Sequence, residues 1–311
     1  MKWNRSTAAR LLVMFMWVVV QAAWVGGAAE PTAGDAAHFL RDGLGARARG
    51  LGSAYTALAD DYLASFWNPA PTTQSPSTII GGGVEQRNSG LFAFSTLGGW
   101  HATAVWAAGA VVVTSDLYGV YHVSGGLRFG PVAVGLALKS YQFGVPGDSG
   151  SGLGLDVGVR YAIDWGGLTL TLAAVSRDIG WTSIRWGSLE TVAVDRTAWV
   201  NCLGIAVAVP LSRGEWTIEL DGEFSLRRPP EVGDADDWRQ AAEGSLSLGT
   251  AFQWAGISIR AGVQRFDVLS PDARFRPTVG LGIALGGLAV DLALIPSPLG
   301  ATYLGGFQAE L

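Results

Sequence analysis

Three groups of residues in this 311-residue chain have the types and spacing to do chemistry. The first is the adjacent pair Asp60-Asp61, with Arg47 and Arg49 upstream. Neighbouring carboxylates in a folded segment are costly unless paired, so they read either as a polar latch to Arg47 or Arg49 or as one solvated face. The second is Glu219, Asp221 and Glu223, alternating with apolar residues and so sharing one face of a strand. Like charges at alternate strand positions repel. They need hydration or inward cations such as Lys139, Arg160 and Arg260, and read either as a cation-selective lining or as a charge-compensated wall. The third is the stretch 178–196, where Ile179, Trp181, Ile184, Trp186 and Leu189 crowd into one connection. Such a cluster is a capture surface for an apolar ligand, or local packing with interfacial tryptophans. Little else qualifies. His38, His101 and His122 lack metal-ligand spacing. Ser95 or Ser124 with His122 has no orienting acid, and Cys202 is the lone cysteine, so an intrachain disulfide is excluded. Glycine runs at Gly43-Leu-Gly45 and Gly81–Gly83 do not sit between a buried strand and a helix, as a nucleotide loop would. A non-enzymatic protein without a metal or cofactor is expected.

The elements that must position these groups follow from composition. Lys2, Arg5 and Arg10 precede the apolar run Leu11–Val20, and Gly27-Ala28-Ala29 closes it before Glu30. This is the plan of a cleaved signal peptide over residues 1–29. Losing those three of 21 basic residues, against 26 acidic ones, leaves a mature charge of about −8. That charge argues against nucleic acid as a partner. Hydrophobic residues make up 49% of the chain and the mean hydropathy is +0.29. Yet no later run reaches the roughly 18 to 20 apolar residues that a spanning helix needs. A chain this apolar without long apolar runs must place its hydrophobic residues in alternation, as a membrane β-barrel does. The 44 Gly and 13 Trp agree with a closed sheet and with membrane interfaces.

From about residue 78 the alternation is explicit. Val132, Val134, Leu136 and Leu138 alternate with Ala133, Gly135, Ala137 and Lys139. Leu155, Val157, Val159, Tyr161 and Ile163 alternate with Asp156, Gly158, Arg160, Ala162 and Asp164. Trp216, Ile218, Leu220 and Phe224 alternate with Thr217, Glu219, Asp221 and Glu223. This places Leu220 toward lipid and Asp221 toward the lumen, where truncation to Ala carries no membrane cost. About fourteen strands can be traced, with the period blurred between 86 and 116. Long connections at 144–151, 178–196, 228–242 and 267–275 alternate with short ones at 164–166, 210–214, Ala255 and Gly286. Short periplasmic turns and long outer loops are the outer-membrane arrangement. An even strand number then puts both chain ends on the short-turn side.

A fourteen-stranded lumen is too wide to be filled by its own side chains, and residues 30–77 are available to occupy it. This segment is Gly-rich and irregular up to Gly52. Ser53 reads as the N-cap of a helix over Ala54–Phe66, and Asn68-Pro69 ends it, since a residue before proline avoids the helical region. The stretch from Gly45 to Ala70, Gly-Ala-Arg-Ala-Arg-Gly-Leu-Gly-Ser-Ala-Tyr-Thr-Ala-Leu-Ala-Asp-Asp-Tyr-Leu-Ala-Ser-Phe-Trp-Asn-Pro-Ala, resembles the N-terminal signature of PorV/PorQ-like outer-membrane proteins of the FadL-like barrel superfamily. Ser53 and Pro71 stand where that pattern carries Gly. The chain also ends in Leu311 rather than the aromatic residue common in barrel assembly.

The resemblance implies a 14-stranded barrel with the N-terminal segment in its lumen. It also implies either transport of hydrophobic compounds or a role in type IX secretion. The expectation is therefore an all-β outer-membrane barrel over 78–311, with Arg47, Arg49, Asp60, Asp61, Trp67, Asn68 and Pro69 in a plug. Arg160, Glu219, Asp221, Glu223 and Arg260 line the lumen, and Trp181, Ile184 and Trp186 capture ligand at the outer loops. Expected partners are outer-membrane lipid, the barrel-assembly machinery, and either a small hydrophobic solute or an exported protein cargo.

Overall fold

A computed structural model describes residues 36–71, 76–187, 195–226, 242–266 and 274–311; the signal-peptide expectation lies outside them. Fourteen antiparallel strands close into a barrel. They are β1 (Ser77–Arg87), β2 (Phe92–Ala102), β3 (Trp106–Thr114), β4 (Tyr118–Phe129), β5 (Val132–Val145), β6 (Asp148–Trp165) and β7 (Leu168–Arg177), followed by β10 (Trp199–Leu211), β11 (Gly214–Leu226), β12 (Ala242–Trp254), β13 (Ile257–Phe266), β14 (Arg274–Leu285), β15 (Leu288–Ile295) and β16 (Thr302–Glu310). Each pairs with its sequence neighbour, β7 pairs with β10, and β16 returns to β1 in the register Ile79↔Glu310 to Gln86↔Tyr303. Two short strands, β8 (Ser183–Trp186) and β9 (Asp195–Arg196), belong to the β7–β10 connection, and β8 continues the sheet beyond β6.

The alternation in sequence becomes the two faces of this wall. Leu136 is 57% exposed and Leu138 65%, whereas Ala137 and Lys139 between and beside them are 1% and 2% exposed. Leu220, Leu248, Ile259, Leu281, Val290 and Phe307 continue the outward apolar band around the barrel. A surface of this kind is stable only against lipid. No helix among the described residues is long and apolar enough to cross a membrane, so the strands do the crossing.

One barrel end is built from tight turns. At Gly166-Gly167 both φ values are positive, 60° and 87°. This is the geometry that matches the right-handed twist of the flanking strands, and glycine adopts it without steric cost. Both β1 and β16 leave the barrel at this end, so the phase argument holds.

Three sequence expectations change. Residues 144–151 are not a loop: β5 and β6 extend as a hairpin joined only by Pro146-Gly147. Their small polar residues suggest a loop because this part of the hairpin lacks the alternating apolar face. Strands β2 and β3 end and begin later than the blurred period suggests. Thr103 makes the turn, its Oγ1 accepting the N–H groups of Val105 at 3.3 Å and Trp106 at 3.0 Å. Finally, the helix over Ala54–Phe66 does not form. Among the described residues, α-helical turns occur at Ala46–Gly50 and Ala64–Trp67 only, and Ser53 sits at φ 65° instead of capping. The donors of Tyr55, Thr56 and Ala57 are taken by the barrel wall, which removes the need for intrahelical partners. Asn68 is extended (φ −152°, ψ 114°), as its proline dictates.

The apolar core of the molecule is inside the barrel. Leu44, Leu51, Tyr55, Leu63, Phe66 and Trp67 from the N-terminal segment pack against the inward faces of β1–β5. Inward glycines let backbone meet backbone there. A Cβ on Gly135 would overlap the Pro69 carbonyl, and one on Gly262 would overlap the amide of Gly52.

Candidate functional site: the plugged lumen

Residues 36–71 run through the barrel from the long-loop mouth toward the short-turn end. At the mouth, the Ala36 N–H donates to the Arg196 carbonyl at 2.9 Å, so the segment begins against the outer connection. A turn of 3₁₀-helix over His38–Leu40 follows, with Ala37 at φ 59°. Below it, Asp42 is held by Arg276 at 2.9 Å and Arg87 at 3.3 Å. Burial alone would raise the Asp42 carboxyl, but the attraction of Arg49, Arg276 and Arg87 outweighs it and holds the group well below the usual carboxylate range. Arg87 also donates to the carbonyls of Phe39 (2.7 Å) and Gly43 (3.0 Å) and to Glu85 (2.7 Å). Arg49, 2% exposed, donates to the Asp42 carbonyl and lies 3.8 Å from Glu85.

In mid-lumen the strand carboxylates grip the plug. Asp221 Oδ2 accepts the N–H groups of Tyr55 and Thr56, both at 2.9 Å, and Glu219 Oε1 accepts that of Ala57 at 2.5 Å. Arg160 Nε donates to the Ala57 carbonyl at 3.1 Å. Glu219, Asp221 and Arg160 therefore act on plug backbone, which neither sequence reading of the acidic face anticipated. Glu223 sits apart from the other two, 3.8 Å from Arg177. Of the two aspartates, Asp60 takes a latch to Arg47 at 2.9 Å and accepts the Tyr55 hydroxyl at 2.8 Å. Among the described residues, Asp61 has no cation in contact. Its Oδ1 accepts the Leu63 N–H at 2.9 Å, and its carbonyl accepts Trp100 Nε1 at 2.7 Å. Burial, reinforced by Asp60 and opposed by Arg47, pushes the Asp61 carboxyl up to about 7.

Of the cations expected to relieve the acidic face, Lys139 and Arg260 are engaged elsewhere. Arg260 pairs with Asp291 at 2.6 Å, and Lys139 bridges Asp156 (2.9 Å) and Asp178 (2.6 Å). Lys139 and Arg260 are thus neutralised by carboxylates outside the plug, and Asp60 finds its cation, Arg47, in its own segment.

Trp67 Nε1 donates to the Leu44 carbonyl at 3.1 Å, tying the end of the plug to its beginning. Arg177 lies 5.4 Å from the Trp67 ring centroid. Asn68 Nδ2 donates to the Thr56 carbonyl at 3.1 Å, and its Oδ1 accepts the Ala70 N–H at 2.9 Å. Pro69 then lies on the inward glycines Gly135 and Gly158.

The outer-loop residues do not form an exposed patch. Ile184 is fully buried and joins the lumen core with Phe143, while Trp186 sits 6.1 Å from the Phe143 ring. Trp181 stacks edge-on against Trp199 and donates to the Leu226 carbonyl at 3.0 Å. Leu189 lies outside the described residues. The connection is pulled down because Asp178, at its root, binds Lys139, Tyr141 and Thr182. What the sequence did not reveal is the aromatic mouth, where Phe39, Phe94, Tyr118 and Phe143 come from four separate segments.

No protein-family model and no curated protein matches the sequence. Solved structures do resemble the fold. A CymD monoaromatic hydrocarbon channel is 13% identical with a TM-score of 0.55, covering 86% of this chain and 97% of that one. A TodX monoaromatic hydrocarbon channel carrying the deltaS2 mutation is 12% identical with a TM-score of 0.50, covering 86% and 97%. The Ralstonia pickettii toluene transporter TbuX is 12% identical with a TM-score of 0.50, covering 88% and 98%. These neighbours are FadL-family channels, and they add nothing specific to the PorV/PorQ-like resemblance. At this identity the likeness shows a shared fold alone, a closed fourteen-stranded antiparallel barrel.

Proposed function

We propose that the chain is a passive outer-membrane channel for small hydrophobic or amphipathic solutes, which pass when the N-terminal plug rearranges. The observation that carries this reading is the way the lumen is closed. The plug is held by hydrogen bonds from its backbone to wall side chains and by an apolar core, while wall charges such as Lys139 and Arg260 are neutralised by wall carboxylates. An open porin for polar solutes would instead keep a water-filled interior. The names of the similar structures, monoaromatic hydrocarbon channels and a toluene transporter, support the same solute class. They lend nothing to the alternative, capture of exported protein cargo by the outer loops. No covalent step is required of any residue.

The test is uptake of radiolabelled toluene by Gram-negative cells carrying the chain, against cells with an empty vector. Faster toluene entry without faster entry of a polar dye is the expected result. Equal toluene entry in the two strains, with the barrel shown to be assembled, counts against the channel.

A further inference from the structure

Every other pair of neighbouring barrel strands is consecutive along the wall, whereas β1 and β16 meet from opposite ends of the barrel sequence. Loop-closure entropy opposes that meeting, so the seam must hold by its own contacts. Its two ends are secured. At the short-turn end Ser77 Oγ donates to Glu310 Oε1 at 2.7 Å, and the Leu311 N–H donates to the Thr78 carbonyl at 2.9 Å. At the outer end the Ser89 N–H donates to the Ala301 carbonyl at 2.8 Å. The middle of the seam is bare on its lumen side, where Gly81 faces Gln308 and Gly83 faces Gly306. Cross-strand side-chain pairs stabilise a sheet beyond its ladder, and three of these four positions have no side chain to contribute.

The missing side chain comes from the plug. Tyr62 is 4% exposed and lies flat over the bare stretch. A Cβ on Gly81 would stand 2.8 Å from Tyr62 Cγ, and one on Gly83 would stand 2.6 Å from Tyr62 Oη. The same ring reaches Gly306, whose Cβ position is 3.6 Å from Oη. Its polar groups reach the strands on both sides of the seam. The Tyr62 N–H donates to Gln308 Oε1 of β16 at 3.2 Å, and Oη is hydrogen-bonded to Thr96 Oγ1 of β2 at 2.8 Å. Trp100 of β2 fixes the residue before it by donating to the Asp61 carbonyl at 2.7 Å. The glycine run Gly81–Gly83, which fits no nucleotide, is thus cut to fit a ring of the chain's own.

We propose that Tyr62 is a clasp on the closing seam, so that the N-terminal segment helps to hold β16 against β1 as well as filling the lumen. The wall is then not a self-sufficient cylinder: its weakest strand pair is completed from inside. This role is independent of what the barrel conducts.

The test is backbone hydrogen exchange, followed by mass spectrometry, on the full chain in lipid nanodiscs. Peptides covering 78–86 and 303–310 report the seam, and peptides covering 246–264 report the wall across the barrel. Exchange follows the local opening equilibrium. Loss of a buried aromatic ring is therefore expected to speed seam exchange by about thirtyfold or more in Tyr62→Ala, with the far wall unchanged. Tyr62→Phe loses only the bond to Thr96 and should speed the seam by about tenfold or less. Leu51→Ala removes an equally buried plug side chain that packs on Gly249 of β12, and should leave the seam as in the wild type. A seam unchanged in Tyr62→Ala overturns the proposal. So does equal acceleration of both regions, or equal acceleration of the seam by Leu51→Ala, because either result means general loosening. Should Tyr62→Ala not assemble, Tyr62→Leu keeps apolar volume without a ring and is held to the same comparison at about threefold. No solute enters the measurement, so its outcome is separate from that of the channel reading.

Discussion

Replacing Asp221 with alanine tests the central claim, that the wall holds the plug by its backbone. Asp221 Oδ2 is the acceptor for the Tyr55 and Thr56 N–H groups at 2.9 Å each, in a site where Tyr55 and Thr56 are fully buried. Deleting the carboxylate leaves two donors without partners at about 1–3 kcal/mol each, so about 2–6 kcal/mol of plug seating is lost. Every 1.4 kcal/mol is about tenfold, so the unseated population rises by roughly thirtyfold at the low end of that range and by more than a thousandfold at the high end. The barrel itself should survive, because the β11 ladder to β10 and β12 is made by backbone groups that the substitution does not touch. From sequence alone Asp221→Ala is a harmless lumen change; the structure makes it a plug-release mutation in an intact barrel. The assay is entry of a small polar dye into cells, with heat-modifiable gel mobility as the check on assembly. Asp221→Asn keeps one carbonyl acceptor and should leak much less than Asp221→Ala. If Asp221→Ala assembles and is as tight as the wild type, the plug is held by its apolar core and the backbone grip is dispensable.

Other consequences can be read in the same assays. Leu220→Arg, one residue away on the lipid face, should impair assembly itself by about 2–4 kcal/mol at mid-bilayer, seen as loss of the heat-modifiable band. Gly135→Val should displace Asn68-Pro69 from the wall and raise dye entry, whereas Gly144→Val, at an exposed strand end with open space around it, should not. Asp61 has its carboxyl raised to about 7 from an ordinary value of 3.8. Its contribution to plug seating is therefore complete below about pH 4 and is lost as pH rises through 7. Dye entry should increase between pH 6 and pH 8 in the wild type and lose that rise in Asp61→Asn. A wild type with flat dye entry over that range would mean that Asp61 ionises without disturbing the plug.

How much of this was written in the sequence depends on which interaction selects the residue. The wall was legible because lipid imposes a single rule along every strand. Val132 to Lys139 reveals its two faces without any knowledge of its neighbours, and the tight turns announce themselves through glycine. The hairpin at Pro146-Gly147 was missed where the rule lapses, in Ser- and Gly-rich strand ends. The plug was legible as a segment but not as a conformation. Its backbone donors are satisfied by Glu219 and Asp221, some 160 residues away, and no local propensity reports such a partner. That also explains why the acidic face resembled a pore lining: alternate carboxylates look the same whether they face water or a row of buried N–H groups. Asp60 was legible, since its cation Arg47 lies in the same segment. The aromatic mouth could not be read at all, because Phe39, Phe94 and Tyr118 have no spacing in common and meet only when the barrel closes around the plug. Sequence periodicity thus describes what faces the solvent or the lipid, and the site lies where neither is present. Among these residues, function is set by which wall group each plug group finds, so the informative substitutions are those that separate one such pair while leaving the barrel closed.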